Sequence, residues 1–256
     1  MLTSLAPALM ATCERGASGA LLAEPVNLLT ALAFLCVAAV AFHHWRAGGG
    51  ADRGGLALVA ATAGVGLGWP LAHLGWPGLA ALAEVLPILG LAMVTFALVL
   101  SRCLDLPPRQ VAALGLALLA GVALAHRALG PLAAMVVPLF ALYSLAATLV
   151  LRARLGMHQD RDLKGSAAAR SDRRHFPHLK LGYALIQTGI LIALGLVVRA
   201  YDAALCGVLP FGLHALWHLI AALAAATLVF GILRHAPARP GQEPARTTAC
   251  TPLPLS

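Results

Sequence analysis

Charged residues are scarce in this chain of 256 residues. Asp, Glu, Lys and Arg together make up 11% of it and only 10 residues are acidic, whereas 60% are hydrophobic. The mean hydropathy is +0.85. Soluble globular domains carry about 25% charged residues, so this composition excludes that class and indicates a membrane protein.

Aromatic residues are also few, at 5% of the chain. Ala, Leu, Gly and Val dominate instead, which suits helices packed closely through small residues better than a barrel with aromatic girdles and alternating strands. We therefore predict an all-α, polytopic membrane protein.

A helix that crosses the hydrocarbon core needs about 17 to 25 mostly apolar residues. Seven stretches of the sequence predict seven transmembrane helices in one bundle: Pro25–Phe42, Leu56–Leu74, Gly78–Ser101, Val111–Ala125, Pro131–Leu151, Leu181–Val198 and Val208–Leu233. We expect one domain over residues 1–235 and a flexible tail over 236–256. The polar segment Arg152–Lys180 is predicted to be flexible as well. No cleavable signal peptide is expected in Met1–Thr12.

The orientation follows from the distribution of Lys and Arg between the loops. One side holds the N-terminus with Arg15, Arg127 and Arg199, and the other side holds the remaining fifteen of the 18 basic residues. The positive-inside rule assigns the basic side to the cytoplasm, so the N-terminus lies outside and the C-terminus is cytoplasmic. The net charge of +8 then favours contact with anionic lipid headgroups at the cytoplasmic face, and no motif indicates nucleic-acid binding.

Only a few acidic or imidazole groups fall inside the predicted helices: Glu24, His73, Glu84, His214 and His218. Ionisable groups are costly inside a bilayer, so by default they face the bundle interior and indicate a function. The predicted topology places all five in the outer half of the membrane.

His214 and His218 are four residues apart and therefore share one helix face, while His73 can supply a third nitrogen from another helix. Three protein ligands with an open fourth position are typical of catalytic zinc. Glu84 can then act as a general base, as a partner of a ligating histidine, or as a direct ligand. Two alternatives stay open at this point: axial ligation of a b-type haem by His73 and His214, and histidines that only hydrogen-bond to their neighbours.

Three motifs resemble those of the alkaline ceramidase family, within the wider group of seven-helix membrane hydrolases that includes adiponectin-receptor-like proteins. They are "CERGASGALLAEPVNLLTALAFL" (Cys13–Leu35), His73 followed eleven residues later by Glu84 in "EVLP", and "HALWH" (His214–His218). The resemblance covers most of the transmembrane chain and keeps the order and spacing of the motifs.

The resemblance implies a zinc-dependent amidase that cleaves the N-acyl bond of a ceramide-like lipid into a fatty acid and a sphingoid amine. His73, His214 and His218 match the three zinc ligands of the family. Glu84 stands where the family usually has an Asp that assists the zinc-bound water. The lipid is expected to enter between helices from the outer leaflet.

One departure from the family concerns catalysis. Trp69 stands where the family has a Ser that helps to stabilise the oxyanion. Loss of one such donor typically costs about 10² to 10³ in rate. The alternative function is therefore a weakened or non-hydrolytic zinc- or haem-binding membrane protein, or a lipid receptor, of the same fold.

A second departure concerns calcium, which eukaryotic members of the family bind near the N-terminal motif. Glu14 and Glu24 match two of the ligands, but Ala11 and Gly16 replace an Asp and an Asn. Because Ca²⁺ takes six to eight oxygen ligands, we expect weak calcium binding or none. The charge of Glu24 is also favourable at a helix N-terminus, just before Pro25.

Two of the five cysteines, Cys13 and Cys206, fall on the predicted outer side, where oxidising conditions permit a disulfide. A matching pair occurs in the family, and two free thiols are the alternative. The high content of Ala, Gly and Arg favours a GC-rich bacterial genome. We therefore expect an inner-membrane protein whose active site lies in the periplasmic half of the membrane.

Overall fold

A computed structural model of the chain describes residues 13–14, 22–74, 77–129, 131–159, 166–209 and 211–235, and it is helical over nearly all of them. These residues form eight α-helices: α1 Pro25–Ala31, α2 Ala33–Ala47, α3 Arg53–His73, α4 Pro77–Cys103, α5 Pro108–Leu129, α6 Pro131–Gln159, α7 Ser166–Tyr201 and α8 His214–Leu233. A short 3₁₀ helix, Ala203–Leu205, lies between α7 and α8. Four of the helices begin with a proline, whose fixed φ and missing N–H suit the first helical position.

Seven helical segments are long and apolar enough to cross a membrane, which confirms the predicted number. They are Pro25–Ala47, Arg53–His73, Leu82–Cys103, Pro108–Ala128, Val137–Leu155, Pro177–Tyr201 and His214–Leu233. The first comprises α1 and α2, which are separated at Leu32. The fourth is longer than the predicted Val111–Ala125, because the helix already begins at Pro108.

One predicted helix boundary and one predicted flexible segment are wrong. The last span was expected to begin at Val208, but α8 begins at His214, because Gly212 has a positive φ of 64° and interrupts the helical path. Most of the segment Arg152–Lys180 is helical rather than a loop, since it continues α6 to Gln159 and forms the first turns of α7. Its many Ala and Arg residues favour helix even without an apolar face. The predicted tail 236–256 lies outside the described residues.

The helices form a closed bundle in which α8 is central. Helix α8 packs against α7 and also against α1, α2, α3 and α4, while the other helices contact their neighbours in sequence. Its buried surface includes four small residues, Ala221, Ala222, Ala224 and Ala225, which allow close helix approach. Both histidines of "HALWH" are therefore directed into the protein, and each side chain is buried.

Helices α3 and α4 approach each other closely at Gly68. A Cβ atom at this position would lie 2.4 Å from the carbonyl oxygen of Ala83 and 2.6 Å from Cγ of Pro87, so only glycine fits. This approach allows the indole N–H of the next residue, Trp69, to donate to the carbonyl oxygen of Glu84 at 3.2 Å. The contact fixes the register of α3, which carries His73, against α4, which carries Glu84.

Candidate metal centre

Three histidines meet where the C-terminus of α3 approaches the N-terminus of α8. Potential ligand nitrogens of His73, His214 and His218 all lie within 4.8 Å of one another. The ring centroids are 4.6 to 5.2 Å apart, and each pair of rings is inclined edge to face. All three side chains are buried. The structure thus brings together the three residues that the sequence predicted as ligands.

Nδ1 of His73, the ring nitrogen that does not face His218, contacts a carboxylate. This nitrogen lies 2.7 Å from Oε2 of Glu24, which also accepts a hydrogen bond from the amide of Asn27 at 2.9 Å. Glu24 and Asn27 are almost completely buried. The short distance to an acidic group indicates that Nδ1 of His73 carries the proton, so the lone pair is on Nε2.

His218 is oriented in the same way by a hydroxyl group. Its Nδ1 lies 3.0 Å from Oγ1 of Thr30, and that hydroxyl also contacts the carbonyl oxygens of Val26 and Asn27 at 2.9 and 3.2 Å. A hydroxyl has one proton, which it donates to a carbonyl, so towards His218 it acts as the acceptor. Nδ1 of His218 is therefore the protonated nitrogen, and its Nε2 also keeps a lone pair.

The two lone pairs face each other. Nε2 of His73 and Nε2 of His218 are 3.2 Å apart. A tetrahedral zinc site with Zn–N bonds of about 2.0 to 2.1 Å places its ligand nitrogens about 3.3 to 3.4 Å from each other. Nδ1 of His214 is buried and, within the part of the chain described, has no hydrogen-bond partner. Three buried imidazoles with nitrogens within 4.8 Å of one another, two of them at the tetrahedral spacing, fit a metal ion better than a single shared proton, which serves only two nitrogens.

Asp202 positions the third histidine. Its buried Oδ1 accepts the backbone N–H of Leu213 and, at 3.0 Å, that of His214, so it caps the N-terminus of α8. A Cβ atom on Gly212 would lie 2.2 Å from the same oxygen, which makes glycine necessary there. Sequence reasoning missed Asp202 because it assigned the residue to a loop. An acidic residue upstream of a "GLH" helix start is only a weak signal of such a cap.

A disulfide joins the two segments that flank the cluster. Cys13 and Cys206 are bonded, with their Cα atoms 5.1 Å apart. Glu14, next to Cys13, accepts the backbone N–H groups of Val26 and Asn27 at 2.7 and 2.9 Å. The disulfide therefore ties the start of α1, which carries the partners of His73 and His218, to the segment that precedes α8.

The contacts of Glu14 and Glu24 differ from those expected of a calcium pair. Glu14 caps α1 and Glu24 binds His73, so each carboxylate interacts with a group of the protein itself. We expected the charge of Glu24 to stabilise the N-terminus of α1, but it is the carboxylate of Glu14 that accepts backbone N–H groups there. Ala11 and Gly16, the other two positions considered for calcium, lie outside the described residues.

Glu84 lies near the cluster but is not part of it. Its carboxyl is within electrostatic range of His73, Glu24 and Arg199, whereas the group of mutually close ligand atoms contains only the three imidazoles. This geometry disfavours direct ligation by Glu84. The carboxylate that contacts a histidine of the cluster is that of Glu24, which binds Nδ1 of His73.

Trp69 covers one side of the cluster. Its side chain is almost completely buried, and its ring centroid lies 4.9 Å from that of His218 and 4.8 Å from that of Phe34. The indole N–H donates to the carbonyl oxygen of Glu84. The indole N–H of Trp69 is therefore already hydrogen-bonded within the protein.

Comparisons with protein-family models, with curated proteins and with solved structures found no match to this chain. The resemblance to the alkaline ceramidase family depends on the residues of the three motifs and stays a prediction.

Proposed function

We propose that the protein is a zinc-dependent intramembrane amidase that hydrolyses the N-acyl bond of ceramide-like lipids. The observation that carries the proposal is the distance of 3.2 Å between Nε2 of His73 and Nε2 of His218, beside a third buried imidazole. A zinc ion held there supplies Lewis acidity towards an amide carbonyl and towards water. Two axial haem ligands stand on opposite faces of a porphyrin, and the third converging imidazole, His214, disfavours that arrangement.

The residues of the chain have distinct roles in this proposal. Glu24 and Thr30 hold the rings of His73 and His218 with their Nε2 atoms directed at the centre. Glu84 takes a proton from the attacking water and delivers it to the leaving amine nitrogen. The amide C–N bond breaks, and a fatty acid and a sphingoid amine leave the site.

We place the entry of the lipid substrate between helices, directly from the membrane. Glu84 is half-buried, and the neighbouring residues Leu82, Val85 and Leu86 on α4 are exposed, with 40%, 41% and 56% of their surfaces accessible. Large exposed apolar side chains on a transmembrane helix face lipid. Glu84 lies about 160° away from Leu82 and Leu86 around the helix, so its carboxyl is directed away from this lipid-facing side and towards the bundle interior.

The disulfide supports the proposed orientation. Cys13 and Cys206 are joined near the three histidines, and disulfides persist in oxidising compartments, whereas Cys103 at the opposite end of α4 is a free thiol. We accordingly assign the histidine cluster to the outer half of the membrane, with the N-terminus outside and the C-terminus in the cytoplasm. In a bacterium this is the periplasmic half of the inner membrane, and the basic cytoplasmic face contacts anionic headgroups.

The alternative function is a zinc-containing lipid-binding protein or receptor that does not hydrolyse its ligand. The engagement of the Trp69 indole N–H by Glu84 favours this alternative, because it leaves no side-chain donor for an oxyanion at that position.

Zinc analysis and lipid hydrolysis test the two functions together. The purified protein should bind zinc at the cluster and lose that zinc in His214→Ala but not in the control His126→Ala, without a Soret band. Release of fatty acid from N-acyl sphingosines, abolished in Glu84→Gln with zinc retained, supports the amidase. Zinc binding without fatty acid release from any amide lipid overturns the amidase in favour of the alternative, and absence of zinc overturns both.

A further inference from the structure

A second cluster of potential metal ligands lies at the other end of the bundle. It consists of Cys103, the last residue of α4, His178 near the start of the membrane-spanning part of α7, and His235, which follows α8. Their ligand atoms all lie within 4.8 Å of one another. The rings of His178 and His235 have centroids 4.7 Å apart and an interplanar angle of 63°.

This cluster is separate from the three-histidine site. His214 begins α8, and His235 follows its end, twenty-one residues later. At a rise of about 1.5 Å per residue, the two histidines are about 30 Å apart. No residue is common to the two clusters, so the loss of one leaves the ligands of the other intact.

The donor atoms favour a transition metal. One thiolate and two imidazoles suit Zn²⁺ and related borderline ions, whereas Ca²⁺ and Mg²⁺ require oxygen ligands. Cys103 is buried, and the two histidines are half-buried. Arg102 is adjacent to Cys103, but its charge is offset by an ion pair with Asp52.

A groove between α7 and α8 leads to one member of the cluster, His235. The groove has a volume of about 770 Å³ and is lined by His235 together with Lys180, Tyr183 and Arg234. Three protein ligands leave one position of a tetrahedral metal open, and the groove allows water to occupy it.

We propose that Cys103, His178 and His235 form a second transition-metal site, which takes Zn²⁺ through one thiolate, two imidazoles and one water. Such a site links the ends of α4 and α8 to α7, at the start of the membrane-spanning part of α7. In the proposed topology this end of the bundle faces the cytoplasm, where the thiol stays reduced. Metal binding releases the proton of the Cys103 thiol to solvent.

Cobalt tests the proposal, because Co²⁺ substitutes for Zn²⁺ and a cobalt–thiolate bond gives a charge-transfer absorption in the near ultraviolet. The full chain is purified in detergent as Cys36→Ala/Cys250→Ala, which leaves Cys103 as the only one of the five cysteines outside the disulfide. Titration with Co²⁺ should produce the band at one equivalent of sulfur-bound metal. The band should disappear in the additional variant Cys103→Ala and remain in His218→Ala.

A second measurement guards against misfolding of the Cys103 variant. His235→Ala keeps the thiol and removes one imidazole, so the affinity for Co²⁺ read from the thiolate band should fall at least tenfold. Total zinc should be two per chain in the unmodified protein and one per chain in either Cys103→Ala or His218→Ala. The proposal is overturned if the thiolate band is absent at saturating Co²⁺, or if His235→Ala binds Co²⁺ as tightly as the parent. Because the band reports only sulfur ligation, neither result bears on the three-histidine site.

Discussion

Replacing Glu24 by Gln isolates the contribution of one buried charge to metal binding. Oε2 of Glu24 accepts from both His73 and Asn27. The oxygen of a Gln amide can accept the same two hydrogen bonds with nearly the same shape. The substitution therefore keeps these two hydrogen bonds and removes the negative charge that orients the histidine and raises its basicity.

The expected loss is about tenfold in zinc affinity. A hydrogen bond to a charged group contributes about 1.5 to 3 kcal/mol, against about 0.5 to 1.5 kcal/mol for a neutral one. The difference of roughly 1 to 1.5 kcal/mol corresponds to about a tenfold change in Kd. Loss of a carboxylate behind a ligating histidine typically costs about 10- to 100-fold, so this value lies at the lower end of that range.

The assay is a competitive titration of zinc against a chromophoric chelator, with the protein in detergent or lipid nanodiscs. Glu14→Gln is the control for removing a carboxylate charge from the same segment: Gln keeps only one of the two hydrogen bonds from backbone N–H groups, but no contact with a histidine is lost. We expect the Kd for zinc to rise in Glu24→Gln and to stay unchanged in Glu14→Gln. Equal zinc affinities in Glu24→Gln and the unmodified protein would refute the reasoning, because the charge would then have no effect on the ligand.

Three further substitutions probe the supports of the cluster. Asp202→Ala removes the cap of α8, which should destabilise the protein by about 0.5 to 2 kcal/mol in thermal unfolding and weaken zinc binding through His214. Thr30→Val removes the hydroxyl that accepts a hydrogen bond from Nδ1 of His218, which contributes about 0.5 to 1.5 kcal/mol. The zinc affinity should therefore fall about 2- to 10-fold and recover in Thr30→Ser. If Thr30→Ser does not restore the affinity, the hydroxyl is not the cause of the loss. Gly212→Ala places a Cβ atom at a positive φ and against Asp202, so the free energy of unfolding should fall by about 1 to 3 kcal/mol and the unfolding temperature should fall with it. An unchanged unfolding temperature would contradict the positive φ of residue 212.

The sequence alone predicted the class of protein, the seven spans and the three histidines. Each of these depends on local properties: hydropathy over about twenty residues, and the cost of an ionisable group inside such a stretch. The separation of four residues between His214 and His218 also fixes a common helix face without any knowledge of the fold. Helix ends were predicted less well, since the start of α8 depends on a cap provided by Asp202 from outside the helix.

Only the tertiary structure decided which groups hold the histidines. Glu24 lies 49 residues from His73 in sequence, and Thr30 lies 188 residues from His218, so neither pairing has a local signature. The cluster of Cys103, His178 and His235 was not predicted for the same reason, because its three residues belong to three segments that are far apart in sequence. The hydropathy of a helix determines that it crosses the membrane, but packing against its neighbours sets its rotation about its own axis and hence the partners of each polar side chain.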